Sequence, residues 1–114
     1  VDYDLYTELQ NKRNDLNKCV RELRKTGSAL ARAEREYKVR LRAESLALRD
    51  QGMPVSLINL VVYGVEEVAE LREKRDVAQV IYNANMDAVN AIKLELRLIE
   101  SQLQREWSTP QAGY

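Results

Sequence analysis

The sequence predicts an all-α protein, a long antiparallel helical hairpin of coiled-coil character with a short apolar helix at its tip. Three observations predict it. Leu9, Leu16, Leu23, Leu30 and Tyr37 recur every seven residues along a stretch free of proline. A second ladder runs through Val68, Tyr82, Val89, Leu96 and Leu103, interleaved with Leu71, Ala78, Ile92 and Ile99. Between the ladders stands one strong breaker, Gln51-Gly52-Met53-Pro54. A seven-residue apolar repeat is the pattern that lets two α-helices wrap around each other and bury a seam.

The first helix is expected from about residue 4 to about residue 49. Asp2 or Asp4 can cap it, placing carboxylates at its positive end. Leu5, Leu9, Leu16, Leu23, Leu30, Tyr37, Leu41 and Leu48 form its core stripe, while the alternate rungs Lys12, Cys19, Thr26 and Ala33 are weak. Gly27 costs the helix about 1 kcal/mol relative to Ala. With Ser28, Ala29 and Ala31 it forms a patch of small residues that permits a close helix approach or a slight bend.

Gly52 suits the left-handed residue that follows a helix end, and Pro54 cannot continue the helix. In the tip, residues 52–64, Ser56 is placed to cap a short helix from Leu57 to about Tyr63, which Gly64 then interrupts. Helix two follows from about residue 65 to about residue 107, opening on Glu66 and Glu67. Its apolar stripe is wide: beside the two ladders lie Val77, Ile81, Ala84, Ala88, Ala91 and Leu98, and no charge occurs between Asp76 and Asp87. Residues 108–114 read as a frayed tail. The whole chain, 1–114, is one domain.

A short connection makes the helices antiparallel. A symmetric fold at about residue 58 puts Leu9 near Trp107, Leu23 near Lys93 and Leu94, and Tyr37 near Ala78 and Gln79. Arg75 then comes within reach of Glu34, Glu36 or Glu44, and Asn85 interrupts the second ladder as a register device. Two stripes on helix two call for two neighbours. The expected solution is a homo-oligomer, a dimer above all, closing a bundle through Val77, Ile81, Ala84, Ala88, Ala91 and Leu98. A monomer whose tip folds back over that stripe, or a different protein that covers it, are the alternatives.

Eighteen basic and eighteen acidic residues give zero net charge. They are unevenly placed: residues 1–51 hold twelve Lys or Arg against nine Asp or Glu, and residues 52–114 six against nine. Attraction between antiparallel helices accounts for this. The basic crowding on helix one also makes Arg21, Arg24, Arg32 and Arg35 candidate contacts for a nucleic-acid backbone. Tyr3 and Tyr6 could stack on bases. The neutralised, solvated face remains the preferred reading over nucleic acid. The tip carries Met53, Leu57, Leu60 and Val61, too apolar for an ordinary loop, so it is expected to be buried by its own assembly or to dock a protein partner.

The chain has no histidine, the commonest general base and metal ligand. Its one cysteine, Cys19, lacks a partner for catalysis or for an intrachain disulfide. Glu66, Glu67, Glu70 and Glu73 read as helix-start charge and surface ion pairs. No catalytic residue, metal or cofactor is expected, and the function class that follows is non-enzymatic. No apolar run is long enough to span a bilayer, and the polar start has no secretory pattern. A cytoplasmic location is expected.

The stretch Leu48-Arg-Asp-Gln-Gly-Met-Pro-Val-Ser56 with Gly64 carries a resemblance. So do Val68-Ala-Glu-Leu-Arg72, Lys74-Arg-Asp-Val-Ala78, Tyr82, Lys93, Leu96-Arg97 and Arg105-Glu-Trp107. Over roughly residues 37–107 the chain resembles small helical proteins of bacteriophages and prophages of Gram-positive bacteria. That resemblance implies a bacterial host cell and an association with replication or recombination genes. It implies no activity and transfers no binding residue. The expectation is a helical interaction protein that binds a protein partner, with a nucleic-acid-binding accessory protein as the alternative.

Overall fold

The computed structural model describes the backbone of residues 2–108 and the side chains of residues 4–108. The side chains of Asp2 and Tyr3 and the tail from 109 to 114 lie outside the described residues, so the Asp2 cap and the Tyr3 stacking role do too. The elements are α1 (Asp2–Asp50), α2 (Val55–Val61), a 3-10 turn (Val62–Gly64) and α3 (Glu66–Ser108). The all-α hairpin is therefore the fold. Each long helix ends a residue beyond its expected limit, and α3 starts one residue later.

The reversal is built from backbone hydrogen bonds. Gly52 has φ +88°, the left-handed region. Its N–H donates to the Arg49 carbonyl (2.9 Å), and the Met53 N–H donates to the Leu48 carbonyl (3.2 Å). These two bonds satisfy carbonyls that the end of α1 would otherwise leave open, the Schellman arrangement. Pro54 then enters α2 with φ −62° and ψ 146°, and its carbonyl accepts from the N–H groups of Leu57 and Ile58, both at 3.0 Å. Ser56 is not the cap: α2 begins at Val55, so Ser56 lies inside its first turn, and no side chain caps this helix. The fixed φ of proline organises the entry in its place.

The break before α3 is likewise displaced. Gly64 closes the 3-10 turn with nothing within 4 Å of where a Cβ would stand, and Val65 is the extended residue (φ −64°, ψ 128°). The Val65 carbonyl accepts from the Ala69 N–H at 2.9 Å.

The chain divides into two compact units, residues 25–83 and the paired segments 1–24 and 84–114. In residues 25–83 the buried side chains are Ala33 and Tyr37 of α1, Ile58 and Val62 of the tip, and Val68 of α3, which is fully buried. In the paired segments Leu9, Leu96 and Ile99 form a cluster against which Leu16, Ile92 and Leu103 pack.

Phase is as the ladders predict; register is not. Within residues 25–83, Gly27 meets Tyr82: a Cβ there would stand 3.3 Å from the ring. A fold at about residue 58 would have brought Val89, the next rung. Tyr37 meets Arg75 rather than Ala78 or Gln79. Within the paired segments Leu9 packs with Leu96 and Ile99, and Leu94, expected beside Leu23, is exposed. Trp107, expected over Leu9, is 78% exposed. The observed partners lie roughly one to three helical turns earlier in α3. The cause is the position of the reversal. It occurs at Gly52, so α2 and the 3-10 turn belong to the returning arm and do not form a symmetric loop centred on residue 58.

Candidate functional site

The open face of α3 follows from its seam. Val68, Val89, Leu96 and Ile99 are buried, which turns the positions about half a helical turn away to solvent. In residues 25–83 these are Val77 and Ile81, both exposed. Val80, which the sequence reading passed over, is exposed between them. Its spacing of three from Val77 inside an uncharged run was the available signal. Arg72, Glu73 and Asp76 border this patch. In the segment from residue 84 onward, Ala84, Ala88, Ala91 and Leu98 are exposed as well. The structure thus leaves all six expected interface residues uncovered.

The tip divides into two faces. Ile58 and Val62 are buried, whereas Leu57, Leu60 and Val61 are exposed, with Leu60 at 79%. Met53 is half-buried, in keeping with its place after the helix end, where an apolar residue packs back on the last turn. Burial of the whole tip by its own hairpin is therefore not what occurs. Two of its apolar residues are buried, and the exposed set extends to Val55 and Tyr63. Arg72 lies over the Tyr63 ring, 5.6 Å from its centroid.

Charges pair differently from the expected scheme of a basic α1 neutralised by an acidic α3. Lys12 pairs with Glu95, and Arg75 of α3 reaches Glu34 of α1 (3.7 Å), one of the three partners the sequence offers it. Glu36 of α1 takes Lys74 of α3 (3.1 Å). Other pairs run along one helix, among them Lys38 with Glu34, Arg40 with Glu44 and Arg75 with Asp76. Arg75 is half-buried. Its hydrogen bond to Asp76, followed by the charges of Asp76 and Glu34, raises its pKa further. The Lys12 ammonium is also held above its usual value, first by its hydrogen bond to Glu95.

Arg21 and Arg24 are exposed, and so, in residues 25–83, are Arg32 and Arg35. None of the four has a side-chain ion pair among the described residues. The same is true of Arg42 and Arg49 on α1, and of Glu66, Glu67, Glu70 and Glu73 on α3, all exposed. Glu66 and Glu67 do supply the acidic first turn expected of α3, but the surface ion pairs expected for the group do not form among the described residues.

Cys19 is half-buried, and Asn85 is half-buried on the seam side of α3. No group of three His, Cys, Asp or Glu side chains that could hold a metal occurs among the described residues. No helix among them is long and apolar enough to cross a membrane. No family model matches the chain, and neither a curated protein nor a solved structure matches it.

Proposed function

We propose that the chain is a non-enzymatic helical interaction protein that assembles with copies of itself and presents its tip to a protein partner. The observation that carries this reading is the uncovered apolar patch of Val77, Val80 and Ile81 on α3. Apolar side chains grouped this way gain free energy by leaving water, and grouped exposed apolar surface marks association sites. The exposed tip residues Leu57, Leu60 and Val61 supply a second apolar surface, suited to a partner. The lack of histidine supports a role without acid–base catalysis. The phage and prophage resemblance supports a place in the cytoplasm of a bacterial host.

Light scattering on the full chain at micromolar concentration tests the assembly. The expected mass exceeds the 13.2 kDa of one chain, and Ile81→Glu lowers it. A wild type that stays at the mass of one chain overturns the reading.

A second reading rests on a different observation. Arg21, Arg24, Arg32 and Arg35 are exposed and unpaired among the described residues, so they are available to phosphates. Under this reading the chain is a nucleic-acid-binding accessory protein. Its affinity for DNA or RNA falls steeply with salt, in proportion to the phosphates contacted. A gel-shift salt titration reads that slope, and reversing two of the arginines flattens it. Absence of binding at low salt removes the reading.

A further inference from the structure

We propose that copies of this hairpin associate edge to edge, the arginine face of α1 in one copy lying against the glutamate-and-valine face of α3 in another. This rests on the self-association reading above and names the two surfaces that meet.

Both surfaces lie in residues 25–83. On α1, Arg35, Arg42 and Arg49 recur every seven residues, and Val39 and Leu46 recur every seven between them. All five are exposed. The intervals alternate four and three, which is the spacing of a helix-packing seam. The opposite side of the same helix holds the buried Ala33 and Tyr37. So α1 carries a second ladder on the side turned away from α3, and its rungs alternate between guanidinium and aliphatic groups. A phosphodiester backbone would leave Val39 and Leu46 without an apolar partner. A neighbouring helix with acidic and apolar groups would satisfy both kinds of rung.

Such a helix face exists in the same chain. On α3, Glu66, Glu70 and Glu73 lead into Val77, Val80 and Ile81, all exposed. Glu70 and Val77 are seven apart, as are Glu73 and Val80. These glutamates and the arginines of α1 share one property: none has an ion-pair partner among the described residues. The neighbouring acids are already engaged, Glu34 and Glu36 with α3 cations and Glu44 with Arg40. The hairpin thus leaves over a ladder on α1 in which cationic and aliphatic rungs alternate, and a stripe on α3 whose acidic end runs into an aliphatic one. A second copy offers the complement of each.

A like-with-like contact of α3 on α3 would leave the arginine ladder open. The heterologous contact uses both faces. Arg suits this role because its planar guanidinium can engage a carboxylate through two hydrogen bonds while its stem lies on apolar neighbours. Opposite charges across the contact also set which faces recognise each other and speed their encounter.

A charge-swap experiment on the full chain tests this. One variant carries Arg35→Glu and Arg42→Glu, the other Glu70→Arg and Glu73→Arg. Every position is exposed and unpaired among the described residues, and circular dichroism checks that helix content is kept. Mass is read by sedimentation at low salt. Each variant alone is expected at the mass of one chain, because its two faces now repel their own copies. An equimolar mixture is expected to regain the wild-type mass, since each variant supplies the face the other requires. The wild-type mass should fall with added salt. An Arg35→Glu/Arg42→Glu protein that keeps the wild-type mass overturns the proposal while leaving self-association through another face intact. So does a mixture that stays at one chain while the wild type assembles. A wild type at one chain mass in low salt removes both this inference and the reading beneath it.

Discussion

The guanidinium of Arg75 lies over the ring of Tyr37, 4.6 Å from its centroid, and joins a half-buried charge on α3 to a buried aromatic on α1. Arg75 occupies a rung of the second ladder where an apolar residue would be usual. It is accommodated because the ring receives its flat face, the Asp76 carboxylate accepts from its Nε (3.0 Å) and Nη2 (2.8 Å), and Glu34 stands 3.7 Å away as an ion-pair partner. Lysine cannot lie flat on the ring and donate two N–H groups side by side to the Asp76 carboxylate. Arg75→Lys is therefore expected to lower the thermal midpoint although the charge is kept. An unchanged midpoint by circular dichroism would mean that charge alone matters here.

Gly27 is expected to resist enlargement. The ring of Tyr82 occupies the space a side chain would enter, and overpacking a helix contact costs about 1–3 kcal/mol. Gly27→Leu should lose stability in that range in urea unfolding, despite leucine's better helix propensity. A gain in stability would show that the close approach at Tyr82 is not needed.

The two tip glycines should differ in their tolerance of a side chain. At Gly52 a Cβ would meet nothing within 4 Å, so the cost of Gly52→Ala is conformational alone, about 1–2 kcal/mol for an L-residue at positive φ. At Gly64 φ is not positive and the space is open, so Gly64→Ala should change stability by less than about 0.5 kcal/mol. Urea midpoints for the pair read this contrast, and equal losses would contradict it.

The Lys12–Glu95 pair makes a pH-dependent contribution whose sign follows from the raised lysine pKa. A cation more basic in the folded state stabilises that state fully below its unfolded pKa. The contribution is lost as pH rises through the higher folded value. The thermal midpoint of the wild type should therefore fall relative to that of Lys12→Met as pH climbs above the usual lysine value of 10.5. Parallel curves through that window would show that the pair does not contribute.

Trp107, exposed near the end of α3, should emit like a hydrated indole in the folded protein. Trp107→Ala should alter stability by less than about 0.5 kcal/mol. Strongly blue-shifted native emission from the chain kept at low concentration would place the ring in a packed site instead.

Much of the fold is legible in the sequence. The ladders predict which sides of α1 and α3 are buried, and Gly52 with Pro54 marks the reversal. Register is not legible from periodicity, since Tyr82 and Val89 occupy equivalent rungs and either could face Gly27. The choice is made by local backbone chemistry at Gly52, which decides how many residues return before α3 begins. Trp107 was misplaced for the same reason. The exposed positions of α3 were legible because they fall off the seam phase of its ladders. The ladder of Arg35, Val39, Arg42, Leu46 and Arg49 was harder to see, because guanidinium groups do not register in an apolar pattern. It emerged once the ion pairs of the neighbouring acids were known.

The equivalence of rungs along the seam bears on how chains of this kind can vary in length. Adding or removing one heptad in each arm would preserve every side chain's orientation and leave the tip unaltered. A change of three or four residues in one arm would instead overwind or unwind the pair locally. Length variants of this hairpin are thus expected to differ by whole heptads matched between the arms, with the Gly52 reversal as their fixed point.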